Sequence, residues 1–453
     1  MGSKVNNSVG MDRRTFLASA AAAGTGLAMA RDSLAQKEPS GTDDLNIAMI
    51  GVGKQGRVLM EAMQLIPSLR FRAVCDIWPY SQRYASRRLK AYGHPVNVYE
   101  DYREMLDKEK DLDAAIVATP DWMHAEHAIA CMEAGLHVYC EKEMSNSLEK
   151  AKQMVLTARR TGKLMQIGHQ RRSNPRYIHA IDTLIHEENL LGRVTQAYGQ
   201  WNRAKSASED LTVAEKDEID PDTLKKYGYD TMSTFLNWRV YRKYGGGPIV
   251  DLGSHQIDIY SWVFGTNPKS VVASGGIDFY KHHEWYDNVM TIYEYENELG
   301  TSRAFYQVLT TTSYGGFAEK FMGEEGTIEI SEIAEQANAA LKEENLDTEP
   351  KWNELARRGL LRKTRAPIRE TATRNVLVDV RESPTLGKWP LPVVLLKPAH
   401  QPHLENFFDA IRHGKPLNCP VEVGYETAVA VLRVNEAVEA ARRLEFKEED
   451  FHV

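Results

Sequence analysis

The chain has 453 residues, more than one ordinary core holds, so two or three domains are expected. Hydrophobic residues at 42% and charged residues at 26% are ordinary for a globular protein, and the net charge of −7 offers no basic field for nucleic acid. No run of about 18 uncharged apolar residues occurs, so no stable membrane span is expected. The four cysteines, Cys75, Cys131, Cys140 and Cys419, have spacings that match no zinc or CxxC pattern.

In chain order, the first signal is Met11-Asp12-Arg13-Arg14-Thr15-Phe16-Leu17, followed by a mildly apolar Ala/Gly-rich stretch to Ala30. Ala28-Met29-Ala30 is a small-x-small cleavage site. Paired arginines before a weakly hydrophobic segment resemble a twin-arginine export signal. A disordered Ala-rich tail is the alternative. Residues 1–45 are therefore set aside as signal and linker, and a periplasmic or otherwise exported location is expected. That route carries folded proteins, often with a cofactor inside, and the lack of a disulfide pattern agrees with folding in the cytoplasm.

Residues 46–50 form an apolar strand that ends on glycines, with a helix following to 65. Strands are then predicted at 71–75, 113–119, 137–140 and 163–167, with helices at 80–92, 102–108, 124–134 and 147–161. Strands alternating with helices indicate a parallel sheet with right-handed crossovers over 46–170.

The pattern changes over 171–453. A helix is predicted at 175–188 and an aromatic-rich strand at 194–203. Residues 204–236 read as a polar, helix-prone insertion. Several strands between 270 and 310, such as 270–275 and 289–296, suggest an open, largely antiparallel sheet. Residues 331–395 read as a charged insertion with one helix near 333–357. Amphipathic helices at 403–413 and 425–443 are expected to pack back on the body. The predicted fold class is α/β, with a parallel-sheet domain followed by an α/β domain.

The strongest local motif is Gly51-Val52-Gly53-Lys54-Gln55-Gly56, between a strand and a helix. In this context GxGxxG is a Rossmann fingerprint. The first glycine permits the tight turn, the second the approach of a pyrophosphate, and the third close helix–strand packing. The helix N-terminus then presents free N–H groups to the phosphates. Asp76 follows 20 residues after Gly56, at the end of the second strand. A carboxylate there accepts hydrogen bonds from ribose hydroxyls and repels a 2′-phosphate, so NAD is favoured over NADP. Arg83, Arg87 and Arg88 leave NADP as the weaker alternative, or simply form a solvated helix face.

Three further motifs follow: Ala118-Thr119-Pro120-Asp121-Trp122-Met123-His124, Gly135 to Glu141-Lys142, and Gly245-Gly246-Gly247 running through Asp251, Gly253, His255 and Asp258 to Trp262 and Gly265. With the glycine fingerprint, in this order, they resemble the glucose–fructose oxidoreductase/inositol dehydrogenase (Gfo/Idh/MocA) family from about residue 46 to about 445. The signal and the stretch Gly168-His169-Gln170-Arg171-Arg172-Ser173 look like its exported branch.

The resemblance implies an NAD-dependent sugar or polyol oxidoreductase with a cofactor that stays tightly bound. Lys142 matches the lysine of the family's Glu-Lys-Pro motif, and Asp251 and His255 match its catalytic pair. His255 would take a proton from a sugar hydroxyl, Lys142 would stabilise charge on the oxygen, and Asp251 would bind a neighbouring hydroxyl or tune His255. Thr119, Pro120, His124, Glu141 and Gln170 are assigned to the dinucleotide side. Arg172, Trp201, Asn202, Arg203, Trp238, Arg239 and Asp258 are substrate-side candidates, the tryptophans equally readable as core or interface and Asp258 as a structural partner. One departure is Glu143, where the family has proline, which changes φ restriction and adds a carboxyl. His124 and His127 have ligand-like spacing without a carboxylate cluster, and His282-His283 reads as a loop, so no metal is expected. A homo-oligomer, dimer or tetramer, is implied by resemblance.

Two other functions compete. One is a redox-neutral, NAD-dependent glycosidase working through a transient keto sugar. The other is a non-catalytic Rossmann-fold binding protein, against which the intact Lys142, Asp251 and His255 set argues.

Overall fold

The computed structural model describes residues 44–336, 338–343, 346–364 and 386–453. The segment predicted as an export signal and the middle of the second insertion, 365–385, lie outside the described residues.

The first half is a six-stranded parallel sheet. Its strands are β1 (Leu45–Ile50), β2 (Leu69–Cys75), β3 (Asn97–Tyr99), β4 (Ala114–Val117), β5 (His137–Cys140) and β6 (Met165–Ile167), in the order β3-β2-β1-β4-β5-β6. The three-residue β3 escaped the sequence reading because only Tyr99 of it is buried. Helices α1 (Lys54–Met63), α2 (Pro79–Ala91), α3 (Tyr102–Lys108), α4 (Asp121–Glu133) and α5 (Leu148–Thr161) make the crossovers. The central strands are buried on both faces, which is why they read as continuous apolar runs.

The second half is a nine-stranded sheet in the order β14-β13-β12-β11-β7-β10-β9-β8-β15. Its strands are β7 (Val194–Asn202), β8 (Pro268–Gly276), β9 (Asn288–Asn297), β10 (Gly300–Leu309), β11 (Phe317–Gly323), β12 (Gly326–Ile330), β13 (Ala339–Lys342), β14 (Gly387–Pro390) and β15 (Leu444–Glu445). All pairings are antiparallel except β7 with β10, so the sheet is largely antiparallel, as expected. The helix predicted near 333–357 is corrected: residues 339–342 form β13 between β12 and β14, and helix is confined to Glu349–Arg357. The run of Glu and Ala there has high helix propensity, but pairing with β12 outweighs it.

Among the remaining helices, α6 (Pro175–Ile178) starts the predicted 175–188 helix, whose remainder, His179–Glu187, closes as π-turns. The first insertion holds α7 (Pro221–Lys226) and α8 (Met232–Leu236). Helix α9 (Gly247–Phe264) is almost wholly buried beneath the large sheet. Helices α10 (Glu349–Arg357), α11 (Gln401–His413) and α12 (Val421–Ala440) follow. α12 lies against α5, α9 and β8, tying the two sheets together. α11 returns to the first sheet, where Leu404, Phe407 and Phe408 pack with Ile47, Met49, Tyr139 and the α1 side chains Leu59 and Met60. Among the described residues no helix is long and apolar enough to cross a membrane.

Candidate active site

Both halves of the site lie at the carboxyl edge of the parallel sheet, where strand ends leave a crevice. The turn after β1 needs its glycines. Gly51 has φ +87°, and a Cβ there would stand 2.7 Å from the Ala118 carbonyl. A Cβ on Gly56 would stand 2.2 Å from the Gly51 oxygen, so α1 packs on the turn only with glycine. At Gly53 a Cβ would enter open space, the room a pyrophosphate requires. Lys54 opens α1 and is exposed.

Asp76 ends β2 and accepts N–H bonds from Val52 and Trp78, both 2.8 Å. Burial pushes its carboxyl up to about 6 against those two bonds. Two of the three arginines that left NADP open have other partners: Arg83 is 3.9 Å from Asp217 and Arg88 3.8 Å from Glu61. The Trp78 indole donates to the Asp217 carbonyl at 2.6 Å, and Ile77, Trp78 and Trp122 pack on the apolar cluster of Ile219, Leu224, Tyr229 and Met232. The first insertion thus lies against the ribose end of the nucleotide groove. These residues fit a bound NAD.

Gln55 joins the glycine turn to β5. Its amide donates to Glu141 Oε1 at 3.1 Å and lies 3.0 Å from His400 Nε2, at the start of α11. Thr119 and Pro120 form the β4–α4 turn. The His124 ring bridges the carbonyls of Thr119 and Glu143, at 2.6 and 2.8 Å, so it braces the backbone. The Thr119 hydroxyl is 3.0 Å from His127 Nδ1.

Lys142 follows β5 and meets α9. Its ammonium donates to the Asp251 carbonyl oxygen and lies 3.3 Å from Asp251 Oδ1, with side chains only 11% and 14% exposed. Arg239 Nε is 3.1 Å from the same oxygen, and its guanidinium covers Trp238 at 4.2 Å. Burial works against ionisation of Asp251, but Arg239, Lys142 and Arg203 outweigh it and hold the carboxyl well below the usual range. One turn along α9, His255 stacks on Trp201 at 5.4 Å, and Trp201 stacks on Phe317 at 4.3 Å. Burial, joined by the charges of Lys142 and Arg171, holds His255 well below 6.5, and its Nδ1 is buried without a hydrogen-bond partner. Lys142, Arg239, Asp251, His255 and Trp201 thus line one region, with an ionised carboxylate, two cations and a neutral imidazole.

Other assigned residues have different partners. Arg172 pairs with Asp258, at 2.8 and 3.0 Å, and Thr427 also bonds Asp258, so this pair anchors α9. Gln170 donates to Glu332 at 3.2 Å. Asn202 donates to the Tyr314 carbonyl at 2.7 Å, which holds a strand end. The Lys142–Glu143 peptide bond is cis.

Three residues were not assigned from sequence. His169 is buried with both ring nitrogens unpartnered, and burial lowers it to about 4. Asp121 is buried within reach of the Lys142 and Asp251 charges, and burial raises it to about 7. His400 arrives from α11. Asp121 and His169 stand at or just past strand ends, the one signal that marked them.

The comparisons agree with this architecture. Residues 45–169 match the family described as oxidoreductase family, NAD-binding Rossmann fold, and residues 187–445 match its C-terminal alpha/beta domain. D-glucoside 3-dehydrogenase of Escherichia coli is 29% identical over 223 residues, 49% of this chain and 54% of that protein. A glycosyl hydrolase family 109 protein of Saccharopolyspora erythraea is 28% identical over 169 residues, 33% of this chain and 37% of that protein. The chain thus spans about half, or less, of the length of these curated relatives. The WlbA dehydrogenase of Bordetella pertussis, solved with NADH and UDP-GlcNAcA, superposes with a TM-score of 0.64 at 16% identity, over 90% of this chain and 99% of that one. With the glycine turn, Asp76 and the α9 cluster all in one crevice, and both domains matched in order, the chain belongs to the Gfo/Idh/MocA oxidoreductase family.

Proposed function

We propose that this protein is an NAD-dependent oxidoreductase that transfers hydride between nicotinamide and a sugar, glycoside or polyol carbon. The observation that carries this reading is the convergence of Lys142, Asp251 and His255, one hydrogen bond from the glycine turn through Glu141 and Gln55. Bound NAD supplies the hydride acceptor. His255, kept neutral by burial, is ready to take the hydroxyl proton. Lys142, held by its pairing with Asp251, stabilises negative charge on the substrate oxygen. Arg239 and ionised Asp251 supply a donor and an acceptor for a neighbouring hydroxyl.

The test begins with mass spectrometry of the denatured protein for bound nucleotide, followed by a sugar panel read by nicotinamide absorbance. Lys142→Ala and His255→Ala are expected to lower kcat by about 10²–10⁴ while NAD affinity stays near wild type. Matching losses of NAD affinity in both variants would remove these residues from the chemistry.

The similarity to a glycosyl hydrolase family 109 protein favours a second reading, redox-neutral glycoside cleavage through a transient keto sugar. A free aglycone with no net reduced nicotinamide supports it; an accumulated keto sugar supports the first.

Two further features complete the proposal. The Arg13-Arg14 segment supports export by the twin-arginine route. The exposed outer face of the nine-stranded sheet supports assembly into a homo-oligomer.

A further inference from the structure

Away from the crevice, the first insertion and the β8–β9 loop bring together three ligand-type side chains. His282 Nε2 is 3.1 Å from Asp210 Oδ2, and His283 Nε2 is 3.0 Å from Asp210 Oδ1. All three donor atoms lie within 4.8 Å of one another. A tetrahedral zinc ion with bonds of about 2.0–2.2 Å spaces its ligand atoms roughly 3.3–3.5 Å apart. The two His–Asp separations fall a few tenths of an ångström short of that spacing, and no pair of ligand atoms in the cluster is more than 4.8 Å apart.

The frame is fixed in advance. The His283 side chain is 5% exposed and stacks on Tyr280 at 4.8 Å and 15°. Asp287 accepts the N–H groups of Phe279 and Tyr280 at 2.7 and 2.9 Å, and the His283 N–H bonds the Tyr280 carbonyl at 2.9 Å. On the other arm, Leu211 exchanges two hydrogen bonds with the Asn237 amide, at 2.7 and 3.1 Å. The His282 side chain is 62% exposed and that of Asp210 31%, which leaves a fourth position for water.

We propose that Asp210, His282 and His283 form a binding site for one zinc-class divalent cation, joining the insertion to the β8–β9 loop. Two imidazoles and one carboxylate suit late first-row ions and disfavour magnesium and calcium, which take oxygen ligands. The ion reaches the active site only through the hydrogen bonds of its two arms. Both arms grip segment 237–240: Leu211 through Asn237, and the Glu284 and Trp285 N–H groups through the Val240 carbonyl, at 3.0 and 3.2 Å. That segment carries Trp238 and Arg239, the wall of the crevice against Asp251.

The test uses the full, untagged protein, stripped with chelator and titrated with Zn²⁺ against a chromophoric chelator. One Zn²⁺ per chain and a raised Tm are expected, with no Tm response to Mg²⁺ at the same concentration. His282→Ala, at an exposed position, should keep its circular dichroism spectrum and bind at least roughly tenfold more weakly. His282→Ala combined with Asp210→Asn should lose the site. No zinc uptake by the wild type, undiminished uptake by the folded double variant, or an equal response to Mg²⁺ would overturn the proposal.

Discussion

Glu143 stands beside Lys142 with its carboxyl buried, one oxygen accepting the Met144 N–H at 2.8 Å and the other without a partner. Burial, aided by Asp121, pushes it up to about 8 from an ordinary 4.5. The folded chain therefore keeps this proton after the unfolded chain has lost it. The stabilisation is full at acid pH and is lost as pH rises from 4.5 through 8. Glu143→Gln, which holds no titrating proton, should flatten the dependence of Tm on pH between about pH 5 and pH 8 and raise Tm by several degrees at the upper end. Parallel curves for the two proteins would show that this carboxyl is ionised in the fold. The neighbouring chemistry was legible because Lys142, Asp251 and His255 lie in local motifs. His169 and Asp121 were less so, because their character comes from burial between elements. Arg172 was read as a sugar contact and Asp258 as a structural partner or a secondary substrate contact, and the fold pairs the two with each other.

At the scale of elements, strand alternation gives the nine-stranded sheet two different faces. Val271, Ala273, Val289, Tyr293, Ala304 and Tyr306 point inward and are buried. On the outer face Val272, Ile292, Phe305 and Tyr198 stand opposite one another across β8, β9, β10 and β7. Ile292 is 47% and Val272 45% exposed, and Tyr198 and Phe305 stack at 5.3 Å. We propose this contiguous apolar row as the surface through which copies of the chain associate. Ile292→Asp is expected to shift the protein to monomer in light scattering, with the fold unchanged; an unaltered mass would place the interface elsewhere. The strand character of β8 and β9 was readable from sequence. That of β13 was not, since four residues rich in alanine carry no period, and only the neighbouring strands select an extended chain.

The whole molecule joins distant parts of the chain. The four cysteines are buried free thiols. Replacing Arg13 and Arg14 together with lysine should hold the protein in the cytoplasm, as followed by fractionation; undiminished export would exclude the twin-arginine route. The change from a parallel to a largely antiparallel sheet was readable from the switch in strand spacing, but the helices that cover each sheet were not. An amphipathic stripe such as that of α11 states that a face is apolar, not which sheet it will cover.

That docking of α11 sets a timetable for synthesis. The glycine turn, Asp76 and Lys142 all leave the ribosome long before residues 401–413, yet Ile47, Met49 and Tyr139 have no finished cover until those residues arrive. A nascent chain can align its strands early but cannot close the face behind the nucleotide crevice. Lasting capture of the dinucleotide therefore belongs to the end of translation, and a chain broken before His413 carries its defect as bare apolar strands that chaperones and proteases recognise.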